Sequence, residues 1–101
     1  MAQELDAVDL DIQWQRLISI LAEAALTVIR TAISKVVSEG GDFGCLLYDR
    51  DGRMIAQDAG VSSKVSTTPR TTVALLRKYP ADTLRPGDMY ISNDPWQVCG
   101  H

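Results

Sequence analysis

The sequence predicts an α+β fold: a long N-terminal helix, then a β-hairpin, a second short helix and a third strand. Apolar residues recur at three- and four-residue steps from Leu17 to Val36, which is the helical period. An Asp-Gly pair at residues 51–52 separates two short apolar runs, as in a tight hairpin turn. Candidate site residues gather at the C-terminal end. We therefore expect residues 1–101 to be a single, incomplete N-terminal segment of a larger mixed α/β domain.

The first element is predicted to be one continuous helix over residues 11–38, after an N-terminal arm at residues 1–8. Asp9 and Asp11 favour the positive end of such a helix. A Gly-Gly pair at 40–41 is expected to end it, because glycine accepts the left-handed cap conformation. Further isoleucines and valines widen the apolar stripe. The helix is therefore expected to be buried over much of its surface, against protein outside this chain.

The remaining elements follow from turn residues and short apolar runs. The hairpin is predicted to pair residues 43–48 with residues 53–57. A polar loop without periodicity follows, and a second helix is predicted over residues 70–78, where Tyr79-Pro80 stops it. A Pro-Gly-Asp turn then precedes a third strand, predicted over residues 89–92.

Composition argues against several classes of partner. The net charge is -3 with mixed signs, so the chain lacks the basic patch that nucleic acid requires. The apolar helix is interrupted by Glu23, Thr27 and Arg30, and we expect no membrane partner. The N-terminus has no basic signal-peptide region. The two cysteines fit no zinc or redox spacing, which predicts reduced thiols and a cytoplasmic location.

Chemistry-bearing residues cluster after the predicted third strand. Asn93 and Asp94 could shape a site, and Asp94 could act as a base or hold substrate. The alternative is an Asx-Pro turn in which the carboxylate only accepts backbone N–H groups. Trp96 could cover a pocket or belong to the core, and His101 could ligate a metal or be a solvated terminal residue.

Asp42 is a separate candidate because it directly follows two glycines, which permit close approach of a ligand. The alternative is a solvated acid in the loop that leaves the helix. No Gly-rich phosphate-binding loop is present in the sequence, so any ATP would be bound by another subunit.

Five stretches, read in order, carry a family resemblance. They are residues 6–20, Arg30-Thr31-Ala32-Ile33-Ser34, Asp42-Phe43-Gly44-Cys45-Leu46-Leu47-Tyr48-Asp49, Asp51-Gly52-Arg53-Met54-Ile55-Ala56-Gln57, and Leu84-Arg85-Pro86-Gly87-Asp88 with Asn93-Asp94-Pro95 and Gly100-His101. Together they resemble the hydantoinase B/oxoprolinase family. That family includes B subunits of ATP-dependent hydantoinases, the C-terminal half of 5-oxoprolinases, and subunits of acetone and acetophenone carboxylases.

The resemblance implies an enzyme subunit. It implies the N-terminal part of the B-type subunit of an ATP-dependent cyclic-amide hydrolase, with a small-molecule substrate, an oligomeric assembly and a hydantoinase A-like subunit that binds ATP. His101 would ligate a divalent metal (zinc, manganese or iron), Asn93 and Asp94 would be catalytic, and Asp42 would bind substrate.

Two alternatives stay open. One is an ATP-dependent ketone carboxylase subunit of the acetone or acetophenone type. The other is a non-catalytic assembly module that docks through its long apolar helix. If the chain is part of a cyclic-amide hydrolase subunit, we expect this segment alone to be inactive.

Overall fold

The computed structural model describes residues 6–58, 60 and 68–97, and it confirms the α+β class. Contacts divide the chain into two units, Met1–Leu47 with Ala56–Val61, and Tyr48–Ile55 with Ser62–His101. The elements are helix α1 (Ala7–Thr31), short helix α2 (Lys35–Ser38), strands β1 (Leu46–Tyr48) and β2 (Met54–Gln57), helix α3 (Thr68–Lys78) and a 3₁₀ turn (Ala81–Thr83).

Helix α1 begins four residues earlier than the sequence predicted. Asp6 is its N-cap, and the Asp6 carboxylate accepts a hydrogen bond from the N–H of Val8 at 3.2 Å. The cap satisfies one of the backbone donors that a helix start leaves unpaired. Residues 7 and 8 therefore belong to the helix, and the predicted arm is wrong for them.

The predicted continuous helix is also wrong at residues 32–34, which separate α1 from α2; the backbone is extended at Ala32 and Ser34. The Thr31 hydroxyl donates to the carbonyl of Thr27 at 2.7 Å, and the Thr27 hydroxyl donates to the carbonyl of Glu23 at 2.9 Å. Such side-chain bonds compete with the backbone ladder near a helix end. Ile33, which follows, is fully exposed.

Part of the predicted apolar stripe forms the half-buried face of α1, whereas Val36, at its far end, lies outside α1 and is 60% exposed. Leu21 is 7% exposed, and Leu17 and Val28, at helical spacing on either side, are partly buried. The same face continues towards the N-terminus through Leu10 and Trp14, which are 50% and 49% exposed. The described residues therefore do not supply the burial that the sequence predicted over much of this helix.

Helix α1 is long and apolar enough to cross a membrane, judged by length and composition alone. Its most apolar window has a mean hydropathy of 1.2. Core helices and signal sequences meet the same criterion, so the support is weak. The absence of a membrane partner stays a prediction.

The backbone requires both Gly40 and Gly41, which the sequence predicted to end the helix. Gly41 has a φ of 63°, in the left-handed region. A Cβ on Gly40 would lie 2.6 Å from the carbonyl oxygen of Val36. A side chain at either position would therefore strain the backbone where the chain turns.

The hairpin is confirmed, with shorter strands than predicted. β1 pairs with β2, and Gly52 in the turn has a φ of 82°. The Asp49 carboxylate accepts hydrogen bonds from the N–H groups of Asp51 at 2.9 Å and Arg53 at 2.8 Å. This Asx geometry closes the turn locally, before any distant contact is made.

Met89–Ser92 is not a strand, which corrects the predicted third strand. Among the described residues it has no strand partner, and Met89 and Ile91 are 93% and 100% exposed. An apolar run becomes a strand only when a neighbouring strand takes its N–H and C=O groups. A contact holds its start: the rings of Tyr90 and Tyr79 lie 4.7 Å apart.

Candidate functional site

The Asn93-Asp94-Pro95 segment forms a local turn in the second unit. The Asp94 carboxylate accepts a hydrogen bond from the N–H of Trp96 at 2.9 Å, and the Asp94 N–H donates to the hydroxyl of Ser92 at 3.3 Å. The structural alternative from the sequence, an Asx turn, is therefore present. Asn93 and Asp94 are both exposed. The turn occupies one carboxylate oxygen of Asp94, and exposure leaves the group accessible to a ligand.

A groove of about 570 Å³ lies between α3 and this turn, and we call it the α3 groove. Leu75, Arg77 and Lys78 of α3 line it, together with Ile91, Asp94 and Gln97 from the segment that follows. Its size is in the range of small-molecule sites. The groove joins two cations, one carboxylate and apolar side chains, so it can contact both charged and apolar parts of a small ligand.

Trp96 lies outside the core. It is 92% exposed and lines a second depression of about 670 Å³ beside α3, with Arg70, Val73 and Arg77. The core interpretation of this tryptophan is wrong, because a core side chain would be shielded from solvent.

Asp42 belongs to the first unit and is partly buried. Its N–H donates to the carbonyl of Val36 at 3.1 Å, which fixes the backbone where the chain leaves α2. This arrangement is the one expected of a helix-exit loop. A substrate-binding role for the Asp42 side chain stays a prediction.

His101, the predicted metal ligand, lies outside the described residues. Within residues 6–58, 60 and 68–97 there is no group of three or more His, Cys, Asp or Glu side chains that could hold a metal ion. The described side chains therefore do not build a metal centre.

Sequence reasoning missed a buried carboxylate in the first unit. Asp58 is 6% exposed, and its two oxygens accept hydrogen bonds from the N–H groups of Cys45 at 2.6 Å and Gly60 at 2.7 Å. The Asp58 N–H also donates to the carbonyl of Cys45 at 3.0 Å. Asp58 thus holds together the residues that flank the hairpin, a structural role. Its one available sequence signal was its place directly after a predicted strand.

The environment of Cys45 follows from this contact. Burial raises the pKa of the Cys45 thiol above its ordinary value, and the negative charge of Asp58 raises the pKa further. Both causes favour the neutral thiol. Cys45 is therefore poorly suited to act as a nucleophile or as a metal ligand at neutral pH.

Sequence reasoning also missed Arg77 and Lys78 as groove residues. They looked like the basic last turn of a helix, which is a common stabilising pattern. Lys78 lies over the ring of Tyr79, with its Nζ 5.6 Å from the ring centre. Arg77 has no ion-pair partner among the described residues, where Arg50 and Asp82 form the one such pair.

Comparison with known proteins identifies the family. The family model described as hydantoinase B/oxoprolinase matches residues 6–101. The chain belongs to the hydantoinase B/oxoprolinase family. The resemblance predicted from the five ordered stretches is thereby confirmed.

Several relatives of this hydantoinase B/oxoprolinase chain are named 5-oxoprolinase. The chain is 30% identical over 96 residues to 5-oxoprolinase of Dictyostelium discoideum, covering 91% of this chain and 7% of the relative. It is 31% identical over 90 residues to 5-oxoprolinase 1 of Arabidopsis thaliana, covering 89% and 7%. For 5-oxoprolinase of Saccharomyces cerevisiae the values are 28% over 92 residues, 91% and 7%. The chain thus spans about 7% of the length of these relatives. No solved structure matches it significantly.

Proposed function

We propose that this chain contributes to the ATP-dependent hydrolysis of a cyclic amide of the 5-oxoproline type, as the N-terminal part of a B-type subunit. The supporting observation is the family match over residues 6–101, together with relatives that carry the name 5-oxoprolinase. The α3 groove adds a small-molecule-sized site beside Asp94, one of the residues that the sequence predicted to be catalytic.

The proposed chemistry divides between two subunits. A partner subunit of the hydantoinase A type would bind ATP and phosphorylate the amide oxygen, and this 101-residue segment itself contains no phosphate-binding loop. Phosphorylation activates the amide carbon towards water. Attack by one water and cleavage of the ring C–N bond, with a proton passing to the ring nitrogen, leave an amine and an acyl phosphate, and a second water hydrolyses the acyl phosphate to a carboxylate and inorganic phosphate. We propose a cytoplasmic location and an oligomeric assembly for this pair.

Asp94 and Asn93 are the proposed catalytic residues of this chain. Asp94 would accept a proton from the attacking water through the carboxylate oxygen that does not hold the Trp96 N–H. Asn93, next to it on the same turn, would orient the substrate through its amide. Asp42 remains a proposed substrate-binding residue.

His101 remains a proposed ligand for a divalent metal such as zinc, manganese or iron. The test is elemental analysis of a purified protein of the relatives' length that contains this segment, compared with its His101→Ala variant. A bound metal in the first protein and its loss in the second support the proposal. An active protein without bound metal overturns it.

The function is tested by measuring phosphate release from ATP with 5-oxoproline, hydantoins and simple ketones as substrates. The sample is the protein of the relatives' length together with its ATP-binding partner. Phosphate release that depends on 5-oxoproline or a hydantoin supports cyclic-amide hydrolysis. Release that depends only on a ketone and bicarbonate supports the carboxylase alternative, and no stimulated release overturns both.

The Asp94→Asn variant tests whether the Asp94 carboxylate acts as the base. Asparagine keeps an oxygen for the Trp96 N–H and so preserves the turn, but it cannot act as a base at neutral pH. A general base contributes about 10²–10⁴-fold to a rate, and kcat should fall by that order. The matched control is Asp88→Asn. The Asp88 carboxylate accepts the N–H of Arg85 at 2.9 Å in another exposed turn, outside the lining of the α3 groove.

A second candidate function is assembly through α1. It is favoured by the exposed end of the apolar face, at Leu10 and Trp14. We infer that the occupant is the additional polypeptide that family relatives carry, because the matched segment is 7% of their length. If the 101-residue chain is a stable monomer that binds no hydrophobic dye, this candidate is overturned. Dye binding by the 101-residue chain that disappears at the relatives' length would support it.

A further inference from the structure

We propose that the α3 groove binds the carboxylate of a small cyclic-amide substrate, with Arg77 as its anchor. This inference rests on the proposed function and names the part of the substrate that the groove recognises. It distinguishes carboxylated cyclic amides, such as 5-oxoproline, from neutral substrates, such as simple ketones.

Helix α3 is basic although the chain as a whole is acidic. The whole chain has a net charge of -3, but helix α3 contains Arg70, Arg77 and Lys78 and no acidic residue. Two of these three cations, Arg77 and Lys78, line the α3 groove. The groove is therefore a local basic site on an acidic chain, and it can attract an anion that the rest of the surface repels.

Arg77 is the better anchor of the two cations. Lys78 lies over the Tyr79 ring, whereas Arg77 has no ion-pair partner in the described part of the chain. A guanidinium donates two parallel hydrogen bonds to a carboxylate, and the planar fork fixes the orientation of that group. A carboxylate bound at Arg77 would thus hold the substrate in one orientation.

The other walls fit the remainder of such a molecule. Leu75 and Ile91 offer apolar contact for the ring methylenes, and Gln97 offers an acceptor for a ring amide N–H. The groove thus offers a cation for the carboxylate and an acceptor for the amide N–H of the same molecule. A neutral ketone has no group for Arg77.

The binding test uses the 101-residue chain labelled with ¹⁵N and titrated with L-5-oxoproline. We expect saturable shifts in the amide signals of residues 71–79 and 91–97. The same ring without a carboxylate, 2-pyrrolidinone, should bind at least about threefold more weakly, in keeping with an exposed ion pair. Shifts confined to other residues, or equal affinity for both ligands, overturn the proposal.

A second binding experiment uses variants that remove one positive charge. Arg77→Gln should weaken 5-oxoproline binding by about three- to fivefold, while Arg77→Lys should retain part of the affinity. The control Arg85→Gln removes the same charge from a residue that does not line the groove, and it should change nothing. Equal effects of Arg77→Gln and Arg85→Gln overturn the proposal.

Failure of this proposal is distinguishable from failure of the proposed function. In the phosphate-release assay, Arg77→Gln should raise KM for 5-oxoproline and leave the KM for ATP unchanged. Turnover of 5-oxoproline with the same KM in Arg77→Gln and Arg85→Gln refutes the groove assignment and leaves cyclic-amide hydrolysis standing.

Discussion

Replacing Asp58 by alanine should destabilise the first unit more than any other Asp→Ala change in a turn of this chain. The Asp58 carboxylate accepts two backbone N–H groups, from Cys45 and from Gly60, and it is 6% exposed. Alanine cannot accept either bond. The hairpin would then lose the clamp between the residue before β1 and the residues after β2.

The magnitude follows from the burial of each donor. The Cys45 N–H is part-buried, so losing a charged acceptor there costs about 1.5–3 kcal/mol. The Gly60 bond is also part-buried, but the Gly60 residue is exposed, so its freed N–H can reach water and the loss is about 0.5–1 kcal/mol. The sum is about 2–4 kcal/mol. For a domain of this size it lowers Tm by roughly 10 °C or more.

Thermal unfolding followed by circular dichroism measures the Tm, and hydrogen exchange of the Cys45 amide gives the local readout. The matched control is Asp88→Ala, which removes one exposed bond to the Arg85 N–H and should cost no more than about 1 kcal/mol. If Asp58→Ala costs no more than Asp88→Ala, or if Cys45 exchange is unchanged, the clamp does not contribute as argued.

Three further outcomes are expected. The pKa of Cys45 is higher in the folded chain than in the unfolded chain, so the folded chain keeps the thiol proton to a higher pH. The thiol therefore stabilises the fold below about pH 8.5, and this stabilisation is lost as the pH rises further. Urea unfolding at pH 7.5 and 9.5 should show a smaller alkaline loss in Cys45→Ser, and an identical loss contradicts the argument. Gly52→Ala should cost more stability than Gly87→Ala. Both glycines have a positive φ, of 82° and 93°, but a Cβ on Gly52 would lie 3.2 Å from Leu76, whereas a Cβ on Gly87 would face open space. Equal losses would show that backbone strain alone determines the cost. Arg50→Gln should change the free energy of unfolding by less than about 0.5 kcal/mol, because the Arg50–Asp82 ion pair is 72% and 84% exposed, and a larger change by chemical denaturation would refute this.

The parts of the fold that the sequence predicted depend on local chemistry. The hairpin turn is set by Asp49 and Gly52, which act within a few residues, and both carry a plain signal. The stripe around Leu21 follows from helical period alone. Neither inference needed a distant contact.

The parts that it missed depend on competition or on tertiary contacts. The break after Thr31 reflects a balance between side-chain and backbone hydrogen bonds, and periodicity does not report that balance. The third strand failed because an apolar run over residues 89–92 does not reveal whether a partner strand exists. Arg77 joined the candidate site only through the return of residues 91–97 towards α3.

The two interpretations of Asp94 are compatible because a carboxylate has two oxygens. One accepts the Trp96 N–H and holds the turn, and Asp94 is exposed and lines the α3 groove. A residue in a turn is therefore well placed to be catalytic, since its position is fixed at little cost in side-chain entropy. Asp94→Asn removes the base and keeps the turn, whereas Asp94→Ala removes both. If the two variants lose the same activity while Asp94→Asn keeps its Trp96 environment by fluorescence, the missing base accounts for the loss. If Asp94→Asn is fully active and Asp94→Ala is not, the carboxylate acts only through the turn.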